Sequence, residues 1–236
     1  MPTVAVVIAA LDEEDSLPSV LAEIPDVACG LPVHTIVVDD GSTDRTAEIA
    51  RAAGVHVHSF ARNEGHGVAL RAGYRLAREM GAEYIVTLDG DGQWNPAEME
   101  GVLAPVVDGE ADFVIGSRVL GAHETDDAFR QAGVHVFARL VRLLTGVRVT
   151  DTSSGFRALR SEITQTVHQT QIQYQTSELL IGAIFAGYRI AERPIVMRKR
   201  FAGTSKKGHN VLYGFRYARV ILKTWWRERA RRTAPA

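Results

Sequence analysis

The chain has 236 residues, 46% of them apolar and 23% charged, which allows a sizeable core in one large domain or two small ones. Cys29 is the only cysteine, which excludes an intramolecular disulfide and points to a reducing compartment. The net charge is −1, but residues 206–236 hold nine Lys or Arg and one acid, Glu228, for +8, while the remaining residues carry 18 bases and 27 acids, for −9.

Met1 leads directly into a strand-like segment, so no secretory leader is expected. The long apolar runs, 4–11 and 179–187, fall short of the roughly 18 residues that a membrane-spanning helix needs. In chain order the pattern predicts strand 4–9, helix 16–24, strand 34–38, helix 43–53, strand 55–60, helix 67–80, strand 84–88, helix 96–107 and strand 113–115. Strands alternating with helices of this length indicate βαβ units and a mostly parallel sheet. The second half is less regular. Helices are predicted at 130–144 and 178–186, a loop at 151–155, a basic segment, and a helix from Val211 to about Arg231.

Chemistry concentrates where strands end. The stretch VTLDGDGQWNP places Asp89 and Asp91 in a strand-to-helix loop, with Asn95 as the expected N-cap and Pro96 in the first turn. Two carboxylates beyond a strand's carboxyl end suit a hard divalent cation shared with substrate phosphates. A turn in which Asp and Gly serve only backbone geometry is the alternative for an isolated DGD. The stretch IVVDDGSTD repeats the pattern. Asp39 and Asp40 there could accept hydrogen bonds from a base or from ribose hydroxyls, whereas Asp44 reads as a helix cap. In RNEGHGVALRAG, Gly65 and Gly67 open a helix whose N–H groups could approach a ligand. No GxGxxG loop is present, which disfavours a nicotinamide-binding domain.

The ordered stretches VVIAALDEED, IVVDDGSTDRT, RNEGHGVALRAG, LDGDGQWNP, IGSR, DTSSGFRAL, SELL, ERPI and RFAGTSK cover roughly residues 4–206. Together they resemble the family-2 glycosyltransferases of the GT-A fold, and among them the polyprenyl-phosphate sugar synthases related to dolichol-phosphate mannose synthase. The resemblance implies an α/β fold with a mostly parallel sheet flanked by helices. It also implies a nucleotide-sugar half (1–117), an acceptor half (118–208) and a C-terminal amphipathic helix (209–236). Asp89, Asp91 and Gln93 would hold Mg²⁺ or Mn²⁺. Ala9, Leu11, Glu13, Asp39 and Asp40, with Gly67, would line the nucleotide site. Asp12 stands where the family usually has Asn. Val134 stands where relatives often place Ser, four residues after an arginine equivalent to Arg130. The transmembrane helices of many relatives are missing.

The implied reaction moves a sugar to a lipid phosphate that is already ionised at neutral pH, so no strong general base is required. Cationic groups must hold two anionic partners together. The catalytic candidates are Asp91, Arg118, Arg200 and Glu178, the last as a sugar-hydroxyl ligand or as a helix-start acid. Arg118, Arg130, Arg157 and Lys206 are candidates for the acceptor phosphate. A family-2 enzyme acting on a hydroxyl would need a base such as Glu178, and a non-catalytic sugar-nucleotide adaptor is the remaining alternative. The tail predicts a basic stripe of Arg216, Arg219, Lys223 and Arg227 beside Val211, Phe215, Ala218, Leu222 and Trp225. This suits an anionic membrane surface or a small membrane-protein anchor. The expected location is cytoplasmic, peripheral at the inner face of the membrane. No motif supports nucleic acid. A tail serving only attachment would be removable without loss of nucleotide binding.

Overall fold

The computed structural model describes residues 1–124, 128–200 and 210–233, without the side chains of 128–130, 210–213 and 233. The elements follow as β1 Val4–Ala10, α1 Leu17–Ala22, β2 Val27–Ala28, β3 Leu31–Asp39, α2 Thr46–Ala52, β4 His56–Ser59, α3 His66–Glu79 and β5 Tyr84–Asp89. A 3₁₀ turn at Pro96–Glu98 then precedes α4 Met99–Val107, β6 Phe113–His123, α5 Ala128–Thr145, β7 Arg157–Arg160, α6 Ile163–Thr166, α7 Gln175–Phe185, β8 Ile190–Met197 and α8 Asn210–Thr233. The sheet order is β2-β3-β1-β5-β7-β6-β8, with β4 pairing β3.

Strands β4, β3, β1 and β5 are mutually parallel, as the alternating pattern predicts. β7 inserts antiparallel between β5 and β6, and β8 runs parallel to β6. β1 is apolar and buried along its whole length because both faces are covered. Val4, Val6, Ile8 and Ala10 join the core beneath α1 and α4, while Ala5, Val7 and Ala9 join the core formed with α3, α7 and α8. From β1 the chain moves to β3 on one side and later to β5 on the other. That reversal opens a crevice at the carboxyl ends of β1 and β5.

α8 departs from the expected stripe. Tyr217, Val220, Ile221 and Thr224 are buried, whereas Phe215, Leu222 and Trp226 face outward. Tyr217 packs edge-on against Phe137 of α5, and its hydroxyl donates to the Thr152 carbonyl at 3.0 Å. The helix is therefore part of the core, and deleting it would expose that core. Arg227 turns inward and its Nη1 donates to Glu178 Oε1 at 2.8 Å. Glu178 is fully buried, and its carboxylate also accepts from the Thr170 and Gln171 N–H groups at 2.9 Å. The Glu178 carboxylate is thus engaged in an ion pair that ties α7 to α8.

Arg227→Ala strands that buried carboxylate. The expected loss is about 2–3 kcal/mol, discounted for Arg227's partial exposure. Chemical denaturation should show the loss, and adding Glu178→Gln should recover part of it. An unchanged midpoint for Arg227→Ala would contradict the anchoring role.

Candidate active site

The loops after β1, β3 and β5 converge on a cleft of about 460 Å³. Ala9, Ala10, Leu11, Glu13 and Asp40 line one part, and Asn63, Gly65 and His66 continue it at the start of α3. Asp89, Gly90 and Asp91 follow from the end of β5. Ser153, Gly155, Gln173–Thr176, Arg200 and Arg216 complete the wall.

The Asp89 loop is built to hold carboxylates. Trp94 Nε1 donates to Asp89 Oδ2 at 2.8 Å, and His66 Nε2 lies 3.3 Å from Asp89 Oδ1. Asp91 Oδ1 accepts from the Gln93 N–H at 3.1 Å. Asn95 caps the next turn, its Oδ1 accepting from Ala97 N–H at 3.1 Å, as its place before Pro96 predicts. At Gly155 an added Cβ would fall 2.6 Å from Asp89 Oδ2, so only glycine permits this approach. Arg200 bridges the cleft's acids, with Nη2 at 2.7 Å from Asp91 Oδ2 and Nη1 at 3.3 Å from Glu13 Oε1. A guanidinium thus provides the positive charge that two neighbouring carboxylates require. Asp89 and Asp91 together offer the hard oxygen donors that Mg²⁺ takes when phosphates and water supply the rest. Among the described residues no three His, Cys, Asp or Glu side chains form a ready-made cation cage.

The DTSSG loop is held from behind by two buried arginines. Arg118 pairs with Asp151 through Nε at 2.7 Å and Nη2 at 3.0 Å, and Nη2 also donates to Ser153 Oγ at 2.6 Å. Burial alone would raise the Asp151 carboxyl, but Arg118 holds it below its ordinary value of 3.8. Arg157 donates to the carbonyls of Ser154 at 2.8 Å, Thr152 at 2.9 Å and Thr176. Burial draws its guanidinium below the ordinary arginine value.

Of the sequence candidates, Ala9, Leu11, Glu13, Asp40, Asp89, Asp91 and Arg200 line the cleft. Asp40 does so while bracing the neighbouring loop, accepting from Glu64 N–H at 2.8 Å and Gly65 N–H at 3.0 Å. Burial raises the Asp40 carboxyl despite those bonds. Asp39, Gly67, Gln93, Arg118, Arg157 and Glu178 do not line the cleft. Asp39 accepts from Ser42 N–H at 3.0 Å within its own turn. Gly67 N–H is spent on the Ile172 carbonyl at 2.7 Å, and a Cβ there would sit 2.3 Å from the Gln171 carbonyl oxygen. Arg118 is paired with Asp151, and Arg157 donates to three carbonyls. Lys206 and the Arg130 side chain lie outside the described residues.

Several lining residues escaped the sequence reading as site residues, among them His66, Ser153, Tyr174 and Arg216. The first two lie in stretches that carry the family resemblance. Tyr174 has φ of +62°, a strained angle for a tyrosine and one common at functional sites. Arg216 belongs to the tail helix and was assigned to its basic outer stripe.

Residues 5–167 match the family model described as glycosyl transferase family 2. The chain belongs to glycosyl transferase family 2. This glycosyltransferase is 38% identical over 202 residues to a dolichyl-phosphate hexose transferase of Haloferax volcanii, covering 86% of this chain and 85% of that one. It is 32% identical over 219 residues to a polyprenol monophosphomannose synthase of Mycolicibacterium smegmatis, covering 87% and 82%. In fold it is similar to a glucosyl-3-phosphoglycerate synthase from Mycobacterium tuberculosis solved with Mn²⁺ and uridine diphosphate, at a TM-score of 0.76 and 22% identity over 95% and 80% of the two chains. The expected α/β architecture of the GT-A type is thereby borne out.

The Asp151–Arg118 pair sets a pH dependence. Because the folded carboxyl lies below its ordinary value of 3.8, its stabilisation is complete at neutral pH and is lost as pH falls through the folded value. Asp151→Asn should lower Tm at pH 7, since it leaves a buried guanidinium without its carboxylate, at a cost of about 3 kcal/mol. It should also flatten the fall of Tm below about pH 4. Parallel Tm profiles for wild type and variant would contradict this assignment.

Proposed function

We propose that this glycosyltransferase moves a sugar from a nucleotide-diphosphate sugar to polyprenyl phosphate, with inversion at the anomeric carbon. The reading rests on one observation above all: Asp89, Asp91, Arg200 and Arg216 line one cleft. Carboxylates suit a cation-bound diphosphate, and two guanidiniums suit the two phosphate-bearing partners. Asp89 and Asp91 would hold Mg²⁺ or Mn²⁺, which when bound neutralises charge on the departing diphosphate. The neighbour solved with Mn²⁺ and uridine diphosphate supports that choice of ion.

The remaining steps belong to the chain's own groups. Arg200 leaves Asp91 and Glu13 for the donor's phosphates. Arg216 holds the acceptor phosphate, whose ionised oxygen attacks the anomeric carbon as the bond to the diphosphate breaks. No proton has to be removed from that nucleophile. Ser153, fixed by Arg118, and Tyr174 shape the sugar side of the cleft. Gln93 supports the metal loop through its backbone.

The acceptor also demands a membrane. Among the described residues no helix is long and apolar enough to cross one. The outward row of Phe215, Leu222 and Trp226 on α8 supplies an apolar surface, 72%, 46% and 69% exposed, with Arg219 among them. That surface supports peripheral attachment to an anionic bilayer at its cytoplasmic face, or to a small membrane-protein anchor.

Incubation with radiolabelled sugar nucleotides and polyprenyl phosphate should carry label into the lipid phase; label reaching only hydroxyl acceptors would overturn the proposal. Arg216→Ala should raise KM for the lipid phosphate about ten- to a hundredfold, the worth of one charge-assisted contact, with nucleotide affinity unchanged. In liposome flotation, Phe215→Ala/Trp226→Ala should lose anionic vesicles that wild type retains at low salt. Equal retention by both proteins would remove α8 as the attachment surface.

A further inference from the structure

We propose that the cleft between α3 and α6 is a second anion site, distinct from the nucleotide cleft, and that it takes a phosphate monoester carrying hydroxyl groups. The cleft has a volume of about 620 Å³, within the range of small-molecule sites. Arg71, Arg75 and Arg78 line it from α3, and their spacing puts all three on one helix face. Among the described residues no Asp or Glu lines the cleft. Three guanidiniums on one wall repel one another unless an anion lies between them.

Their partners leave capacity for such an anion. Arg71 Nη1 donates to the Gln171 carbonyl at 2.6 Å, and Arg78 Nη1 donates to the Thr164 hydroxyl. Among the described residues neither has a carboxylate partner. Arg75 meets Glu79 at 3.6 Å, but both side chains are more than half exposed, at 58% and 60%, so that pair is weak and easily exchanged. Guanidinium forks match phosphate oxygens two at a time, which makes phosphate the anion of choice over a single carboxylate.

A second observation points to the same occupant. Gln169 lines the cleft, and its Oε1 is buried with no hydrogen-bond partner among the described residues. A buried acceptor left unmatched costs free energy, and a ligand hydroxyl reaches it once the Gln169 side chain turns toward the cleft. Phe60 and Val68 give the cleft an apolar wall for the ligand's carbon skeleton. Guanidiniums for the phosphate and an amide oxygen for a hydroxyl therefore sit in one recess. The assignment does not depend on the sugar-transfer reading, since no residue of this cleft lines the nucleotide cleft.

The test is calorimetric titration of glycerol 3-phosphate into the full chain already saturated with Mg²⁺ and a nucleoside diphosphate, with inorganic phosphate as the simpler probe. One equivalent should bind. Arg75→Ala should weaken it at least about tenfold without changing nucleotide affinity. Arg148→Ala, which removes an exposed arginine elsewhere, should not. Arg75 is exposed and weakly paired, so its loss spares the fold, and an unchanged Tm verifies this. Flotation with phosphatidic acid vesicles supplies the second arm. Retention that depends on Arg75 there, without binding of the soluble ester, places the phosphate on a lipid headgroup. Absence of Arg75-dependent binding in both arms, or soluble binding that disappears once the nucleotide site is filled, overturns the proposal.

Discussion

Negative charge gathers at the carboxyl ends of the parallel strands β1 and β5. Asp89, Asp91 and Glu13 line one cleft, and two unit charges about 4 Å apart near a protein surface repel by roughly 4 kcal/mol. Such a cluster persists only with a counter-charge. Arg200 provides one, touching Asp91 and Glu13 together. Trp94 and His66 hold Asp89 from the sides, and Gly155 leaves room for its carboxylate. A cation-bound diphosphate can take over the neutralising task from Arg200, which frees the guanidinium for phosphate. The cleft's resting electrostatics and its proposed chemistry are two states of one charge balance.

Behind the cleft, arginine serves structure instead. Arg118 is matched by Asp151, Arg157 by three carbonyls and Arg227 by Glu178. These contacts fix the DTSSG loop and the start of α7, which supply Ser153 and Gln175 to the wall. α8 joins both roles. Tyr217 locks the helix to Thr152, the preceding Arg216 reaches the cleft, and Phe215 faces solvent. Three consecutive residues thus connect an outer apolar surface, a phosphate-sized charge and the core.

The N-terminal half of the fold was legible because its signals are local. An apolar strand, an acid pair and a helix cap follow one another within about ten residues, and β1, β3 and β5 end where that order predicts. β7 and β8 were not legible. β7 is four residues long with arginine at both ends, and β8 contains Glu192, Arg193 and Pro194, so neither has an apolar pattern of its own. Both are strands because neighbouring strands offer them hydrogen bonds. Residue type did identify arginines and acids, yet only the partner separates Arg200 in the cleft from Arg157 beneath it. For Glu178, a helix-start acid reads the same in sequence whether it meets substrate or Arg227, and only the structure shows the Arg227 contact. The tail's periodicity correctly indicated a helix, but its inward face is set by α5 and α7, which a plot of one helix cannot include.

In the proposed reaction the Asp89–Asp91 loop exchanges its guanidinium counter-charge for a metal-bound diphosphate. Electron paramagnetic resonance of Mn²⁺ titrated against the protein with uridine or guanosine diphosphate measures this directly. One Mn²⁺ per chain should be immobilised only when nucleotide is present. Asp91→Asn should abolish that signal, and Arg200→Ala should retain it. Nucleotide binding of equal affinity with and without Mn²⁺, or an Asp91→Asn variant that immobilises Mn²⁺ as wild type does, would contradict the account.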